Sequence, residues 1–248
     1  MRKIILADQF VLYQFEPDRG KHFGFNLYTF YDNRQTMLID TGFEVHAADL
    51  LDDLTENRFS LQQVLISHFH TDHISGLKVL PKTPVLGSEN FMKTLRLLPR
   101  EEQRFFTPSQ KLADGDEMTF GNFHFKFIVM PGHAPCAVYT IINDTFIHVG
   151  DDLMQTNDGQ AILPSLDFPQ LTDHIASLER LKEYADLTLL PAHGAPIRGR
   201  ENYLEAVENR LIYLRNIQNS QEPLSYEQAV AGCTCSFFHK EWHEALYA

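Results

Sequence analysis

Through its first two thirds the chain alternates short apolar runs with turn residues, and its last third shifts to helical spacing. Residues 2–15 and 24–31 are rich in aromatic and β-branched side chains, and Met37-Leu38-Ile39 is an apolar run that stops at Asp40-Thr41-Gly42. Runs of this kind bounded by Gly, Asn and Asp predict strands, with Asp32-Asn33 as a hairpin turn. From Glu44 to Asn57, Val45, Ala48, Leu51 and Leu54 or Thr55 recur at three- and four-residue spacing, which predicts a helix with those residues on its buried face. Leu61 to Ile66 reads as a buried strand. Short strands are expected around residues 84–86, 116–120, 123–130, 138–143 and 145–149, separated by Gly115-Asp116, Gly121-Asn122 and Asn143-Asp144. Beyond residue 170 the pattern predicts a helix over Leu171–Tyr184, a strand over Leu187–Pro191 and a long helix over Glu201–Gln218. Two sheets packed face to face with helices outside satisfy this order: an α/β, four-layer αββα sandwich.

Composition narrows the picture. The 248 residues are 44% hydrophobic and 22% charged, with 19 Phe and 9 Tyr, which is globular rather than disordered and implies an aromatic-rich core. A chain of this length and layered pattern is expected to form a single domain over 1–248, with a helical C-terminal extension from about residue 199. The formal net charge of −12 argues against nucleic acid or an anionic membrane as a partner and favours a small-molecule substrate. No run is long enough to cross a membrane. Arg2-Lys3 precedes Ile4–Ala7, but Asp8-Gln9 ends that stretch too early for a signal peptide. Three cysteines cannot all pair, and Cys233 and Cys235 are too close for an ordinary bridge, so a reducing cytoplasm is expected.

The chemistry concentrates in Ser67-His68-Phe69-His70-Thr71-Asp72-His73, directly after the Leu61–Ile66 strand. In an extended segment His68 and His70 point the same way, because strand side chains alternate. Asp72 and His73 then turn into a helix expected to begin at Ile74-Ser75-Gly76-Leu77. A blander role for Asp72 is that of an N-terminal helix cap. Three more segments place a metal-capable residue just past a predicted strand: Pro131-Gly132-His133, Gly150-Asp151 and Pro191-Ala192-His193-Gly194. Strand ends converging on one edge can assemble a site on a rigid frame.

Over roughly residues 24–195 the chain resembles the metallo-β-lactamase superfamily, whose motifs occur here in the same order. Leu38-Ile39-Asp40-Thr41-Gly42 matches its first motif, His68, His70, Asp72 and His73 match HxHxDH, and His133, Asp151 and His193 match the later ligands. The resemblance implies two metal ions: His68, His70 and His133 on one, Asp72, His73 and His193 on the other, Asp151 bridging them, and Asp40 supporting the ligands from behind. This chain has Gly132-His133-Ala134-Pro135-Cys136 where the family often has Gly-His-Thr-Pro-Gly. True β-lactamases of the family commonly lack the bridging Asp, so Asp151 argues against antibiotic hydrolysis.

Imidazole and carboxylate donors without thiolate suit zinc first, with iron or manganese as the other candidates. Two such ions can hold a bridging hydroxide that attacks a small ester, lactone or thioester, with Asp72 as proton acceptor or orienting group. Rival readings on the same scaffold are a phosphodiesterase and an iron-dependent redox enzyme such as a persulfide dioxygenase. A binding protein without catalysis is a third. Asp152, neighbour and rival of Asp151, is expected to matter far less. His22, His46, His124, His174, His239 and His243 are read as structural or surface residues, and His148 as a weak candidate for supporting the site. Cys136 is read as a small buried hydrophobe. Arg198 and Arg200 are assigned to a solvated or helix-start role. The aromatic tail from Phe237 to Trp242 is a candidate for core packing or a homodimer contact.

Overall fold

The computed structural model describes residues 1–18 and 20–247. A seven-stranded sheet contains β1 (Arg2–Ala7), β2 (Phe10–Gln14), β3 (Asn26–Asp32), β4 (Gln35–Ile39), β5 (Ser60–Ile66), β6 (Val85–Ser88) and β7 (Gln110–Leu112), in that spatial order. The first four pair antiparallel, β1–β2 and β3–β4 through short turns and β2–β3 through the longer segment 15–25, and β4 to β7 run parallel. The β3–β4 hairpin turns through Asn33 and Arg34, both at positive φ, as a two-residue turn compatible with strand twist requires. A five-stranded sheet has the order β12-β11-β10-β9-β8, from β8 (Glu117–Phe120), β9 (Phe123–Val129), β10 (Val138–Ile142), β11 (Phe146–His148) and β12 (Thr188–Leu190).

Alternation along each strand decides which layer a side chain joins. Met37 and Ile39 of β4, Leu65 of β5 and Phe123, Phe125 and Phe127 of β9 meet between the two sheets. Leu38, Val64 and Ile66 point the other way, onto α1 (Glu44–Glu56). Ile128, Ile141 and Ile147 leave the second sheet toward α5 (Leu171–Leu181) and α6 (Arg200–Asn219). The αββα layering read from sequence is therefore the observed one.

Shorter helices fill the connections: α2 (Thr71–Ile74), α3 (Met92–Leu95), α4 (Arg100–Phe106), α7 (Tyr226–Ala229) and α8 (Glu241–Ala245). Neither α3, α4 nor β7 is evident in the pattern, because each is too short to show a period. The buried face of α1 also differs from the expected one. His46, Ala47, Leu50 and Leu54 are buried, whereas Val45 is 61% exposed. Ala47, Leu50 and Leu54 satisfy the same spacing as the predicted set, so periodicity alone could not choose between them. The helix after the histidine cluster starts earlier than expected: α2 opens at Thr71 with His70 in the cap position, followed by a 3-10 turn over Ser75–Lys78. Asp72 lies inside the first turn and is not the cap.

Candidate metal centre

Strands β9, β11 and β12 run in the same direction, as do β4 and β5, so their C-terminal ends line one edge of the sandwich. Asp40 follows β4, His68 to His73 follow β5, and His133, Asp151 and His193 follow β9, β11 and β12. The edge brings all of them together.

Two donor clusters result. One ligand atom from each of His68, His70 and His133 lies within 4.8 Å of the others, and the same holds for Asp72, His73, Asp151 and His193. In the first cluster His68 Nε2 is 3.1 Å from His70 Nδ1, and His133 Nε2 is 2.9 Å from the same atom. In the second, Asp72 Oδ2 is 3.8 Å from His73 Nε2 and 3.6 Å from His193 Nε2. The Asp151 carboxylate lies between them. Its Oδ2 is 3.9 Å from His68 Nε2, 3.7 Å from His133 Nε2 and 3.3 Å from His73 Nε2, while Oδ1 is 3.3 Å from His193 Nε2.

In four of the five histidines, His68, His73, His133 and His193, the nitrogen facing away from the cluster is held by the protein. Asp40 Oδ2 lies 2.9 Å from His73 Nδ1, and the same carboxylate accepts the Ser67 backbone N–H at 2.8 Å and the Ser67 hydroxyl at 2.7 Å. Ser67 Oγ is in turn 3.2 Å from His68 Nδ1. His133 Nδ1 faces the Ser165 carbonyl at 3.2 Å and His193 Nδ1 the Gly24 carbonyl at 3.0 Å. Partners of this kind set ring orientation and leave the opposite nitrogen free for a ligand. Asp40 reaches its three donors from a left-handed backbone conformation, φ 58, which Asp tolerates better than most residues. Gly194 is required beside His193, because a Cβ there would sit 1.9 Å from the Gln155 carbonyl oxygen.

The donor atoms fit metal ions. His193 Nε2 and Asp151 Oδ1 are fully buried with no hydrogen-bond partner. Such orphaned polar atoms are costly unless something satisfies them. Burial, reinforced by His73 and His70, holds His68 far below the ordinary imidazole range, and burial beside His133 brings His70 to about 3. Both rings are neutral, as ligands must be. Burial opposes a charge on Asp151, but His193 and His73 outweigh it and keep the carboxylate ionised. Burial likewise opposes the Asp72 charge, and His73 with His193 holds its pKa below the usual range.

His73 and His193 behave oppositely. Burial disfavours their protons, but Asp151 and its neighbours push His73 well above its ordinary range and His193 up to about 9. In the ion-free protein these protons stabilise the carboxylates fully below the unfolded imidazole value of about 6.5, and that stabilisation is lost as pH rises towards 9. A metal must displace them. Metal uptake near pH 7 is therefore expected to release about two protons, with apparent affinity rising up to about pH 9. Calorimetry in buffers of different ionisation enthalpy checks this; zinc uptake without proton release would contradict it.

Asp152 has contacts that the sequence reading did not assign to it. It belongs to neither donor cluster, as expected, yet it is far from incidental. Its carboxylate accepts the His133 backbone N–H at 2.7 Å and the Tyr139 hydroxyl at 2.5 Å, and burial pushes its pKa up to about 6. A Cβ at Gly132 would come within 2.5 Å of that carboxylate. Ser177 of α5 donates to the Pro131 carbonyl at 2.9 Å, and His174 Nε2 is 3.4 Å from the Asp152 carbonyl. Asp152 thus pins the loop carrying His133. Nothing but its adjacency to Asp151 signals this in the sequence, and the carbonyls of Ser165 and Gly24 have no side-chain signature at all.

The remaining candidates separate. His148 is buried 3.9 Å from Asp40 Oδ2, with both ring nitrogens lacking hydrogen bonds, and burial brings it to about 4. Cys136 is buried against the Thr94 hydroxyl at 3.0 Å. Arg200 pairs with Asp186 at 2.8 Å, and Arg198 lines a different cavity. The guanidinium of buried Arg210, which sequence reading passed over, donates to the Met154 carbonyl at 2.7 Å and ties α6 to the segment after Asp151. The aromatic tail does reach the site: Trp242 lines the chamber above the donor clusters, and Phe23 packs on His193 at 4.9 Å between ring centroids.

Comparison with known proteins agrees with this geometry. The sequence profile of the metallo-beta-lactamase superfamily matches residues 23–193, and the chain belongs to that superfamily. It is 25% identical over 211 residues to the beta-lactamase-like protein 2 homolog of Drosophila melanogaster, covering 80% of this chain and 66% of that protein. It is 29% identical over 168 residues to a hydroxyacylglutathione hydrolase of Francisella philomiragia, covering 67% of this chain and 61% of the relative. The chain thus spans less than two thirds of the length of either. Among solved structures, a metallo-beta-lactamase from Pontibacter korlensis superposes with a TM-score of 0.68 at 17% identity, covering 84% of this chain and 99% of that one. ETHE1 from Myxococcus xanthus superposes at 0.56 and 20% identity, covering 90% and 95%. At these identities the structural likeness speaks for the fold.

Proposed function

We propose that the protein is a dinuclear metal-dependent hydrolase of a small ester, lactone or thioester. His68, His70 and His133 would hold one ion, Asp72, His73 and His193 the other, with Asp151 between them. The observation that carries this reading is the Asp151 carboxylate, whose two oxygens face both clusters at 3.3–3.9 Å. The donor set contains no thiolate and suits zinc. Two bound ions supply Lewis acidity and water activated at neutral pH.

The chain's own residues do the rest. Asp40 and Ser67 orient His73 and His68, and Asp152 holds the His133 loop. Asp72 is half-buried at the chamber floor, ionised and placed to accept a proton. The chamber has a volume of about 420 Å³, the size of a small-molecule site. The relatives named hydroxyacylglutathione hydrolase support the thioester arm. A net charge of −12 supports a small-molecule substrate rather than nucleic acid or an anionic membrane. No helix among the described residues is long and apolar enough to cross a membrane, and free Cys136, Cys233 and Cys235 support a cytoplasmic location.

Elemental analysis of protein reconstituted with zinc should find about two ions per chain. The same protein should hydrolyse at least one member of an ester, lactone, thioester and phosphodiester panel. A single ion at saturation refutes the dinuclear assignment, and turnover of the phosphodiester alone moves the reading to a phosphodiesterase.

A further inference from the structure

Two cavities open from the donor clusters, and their walls differ in kind. The chamber of about 420 Å³ runs from Asp72, Asp151 and His193 towards Phe23, Met154 and Trp242. Every ionisable side chain lining it belongs to the proposed ligand set, so apart from bound ions it offers no Lys or Arg to a charged substrate group. The neighbouring cavity of about 330 Å³ shares His70, His133 and Leu97 with the first but adds Lys93, Arg96 and Asp167. Among the described residues neither Lys93 nor Arg96 is in an ion pair, whereas Lys78 lies 3.5 Å from Glu44 and 3.8 Å from Glu102. On a chain of net charge −12, Lys93 and Arg96 place two cations at the wall of one cavity beside the donor clusters. Leu97 stands at the wall common to both cavities and is 79% exposed, a cost that an apolar ligand against it would remove.

We infer that the substrate is amphiphilic: an apolar acyl group seated against Trp242, Phe23 and Met154, and an anionic leaving group over Lys93 and Arg96. The scissile carbonyl then falls over the donor clusters, where the two cavities meet. Phe23 and Met154 are buried and Lys93 and Arg96 are exposed, so the departing group is the limb nearer solvent. In the hydrolytic step the acyl–sulfur bond breaks, water supplies the hydroxyl of the acid product, and the thiol leaves with the electron pair and a proton. The inference rests on the hydrolase reading, and its test separates the two.

The zinc-loaded protein is assayed on four thioesters, hexanoyl or acetyl on either 3-mercaptopropionate or neutral N-acetylcysteamine. Hexanoyl should exceed acetyl in kcat/KM by about tenfold or more. The anionic thiol should exceed the neutral one by about tenfold at low salt, a preference that shrinks as salt screens it. The doubly substituted Lys93→Ala, Arg96→Ala protein should lose the charge preference and keep the chain-length preference. Trp242→Ala, or Leu97→Asn at an exposed position should the first fold poorly, should do the reverse. Because Trp242 is the chain's single tryptophan, its fluorescence reports ligand entry without turnover. The non-hydrolysable ketone S-(2-oxoheptyl)-3-mercaptopropionate should change it saturably, with about tenfold weaker binding in the Lys93/Arg96 variant. Equal rates on all four thioesters, or an unchanged tryptophan signal, would overturn the inference while hydrolysis itself stands. No turnover on any of the four, or on the ester and lactone panel, would sink the hydrolase reading and this inference with it.

Discussion

Asp151→Ala protein should fold, bind fewer than two ions per chain and lose activity by more than the roughly 10–100-fold that an outer hydrogen-bond partner typically costs. The reason is positional. Among the described residues Asp151 is the one whose carboxylate lies within 3.9 Å of ring nitrogens in both clusters, so its loss weakens both at once. Removing it also leaves His73 and His193 without the carboxylate that does most to offset their burial. Asp152→Ala should act differently. It frees the His133 backbone N–H and the Tyr139 hydroxyl, so the ion on His68, His70 and His133 should weaken while the other is retained. Elemental analysis with circular dichroism on both variants decides the matter. Two tightly held ions in Asp151→Ala would remove it as the bridging ligand.

Metal exchange carries the second large effect. Zinc is redox-inert, so an enzyme that needs only Lewis acidity and an activated water turns over with zinc alone and without oxygen. An iron-dependent oxygenase on the same scaffold would be silent under those conditions. Apo-protein reloaded with zinc is expected to regain full activity anaerobically on an ester, lactone or thioester. His70→Ala should abolish that activity with the fold retained, since His70 is half-buried at the site and belongs to none of the core clusters. Activity restored only by ferrous iron, with oxygen consumed, would replace the hydrolase by a redox enzyme and leave the ligand list intact.

Much of this was legible because the site is built from side chains whose chemistry is rare and whose spacing is local. His68, His70, Asp72 and His73 sit in one loop, and His133, Asp151 and His193 each follow an apolar strand, so convergence on an edge could be read from strand ends alone. The layers followed from alternation, as in β9, where Phe123, Phe125 and Phe127 face one layer and Ile128 the other. Tertiary structure decided what has no local period or no side chain. The buried face of α1 was chosen by the sheet beneath it, among spacings that the sequence offers equally. The placing of α2 against the segment after β4 rests on a long-range contact, the Thr41 hydroxyl donating to the His73 carbonyl at 2.7 Å across a gap of 32 residues. Asp152 became a support for His133 only because the β9–β10 loop folds over it. The carbonyls of Ser165 and Gly24 orient His133 and His193 with groups every residue possesses. Trp242 reaches the chamber from near the C-terminus because packing brings distant segments together. Ligand identity is a property of residue type, whereas ligand orientation and the shape of the substrate chamber are properties of contacts between distant segments.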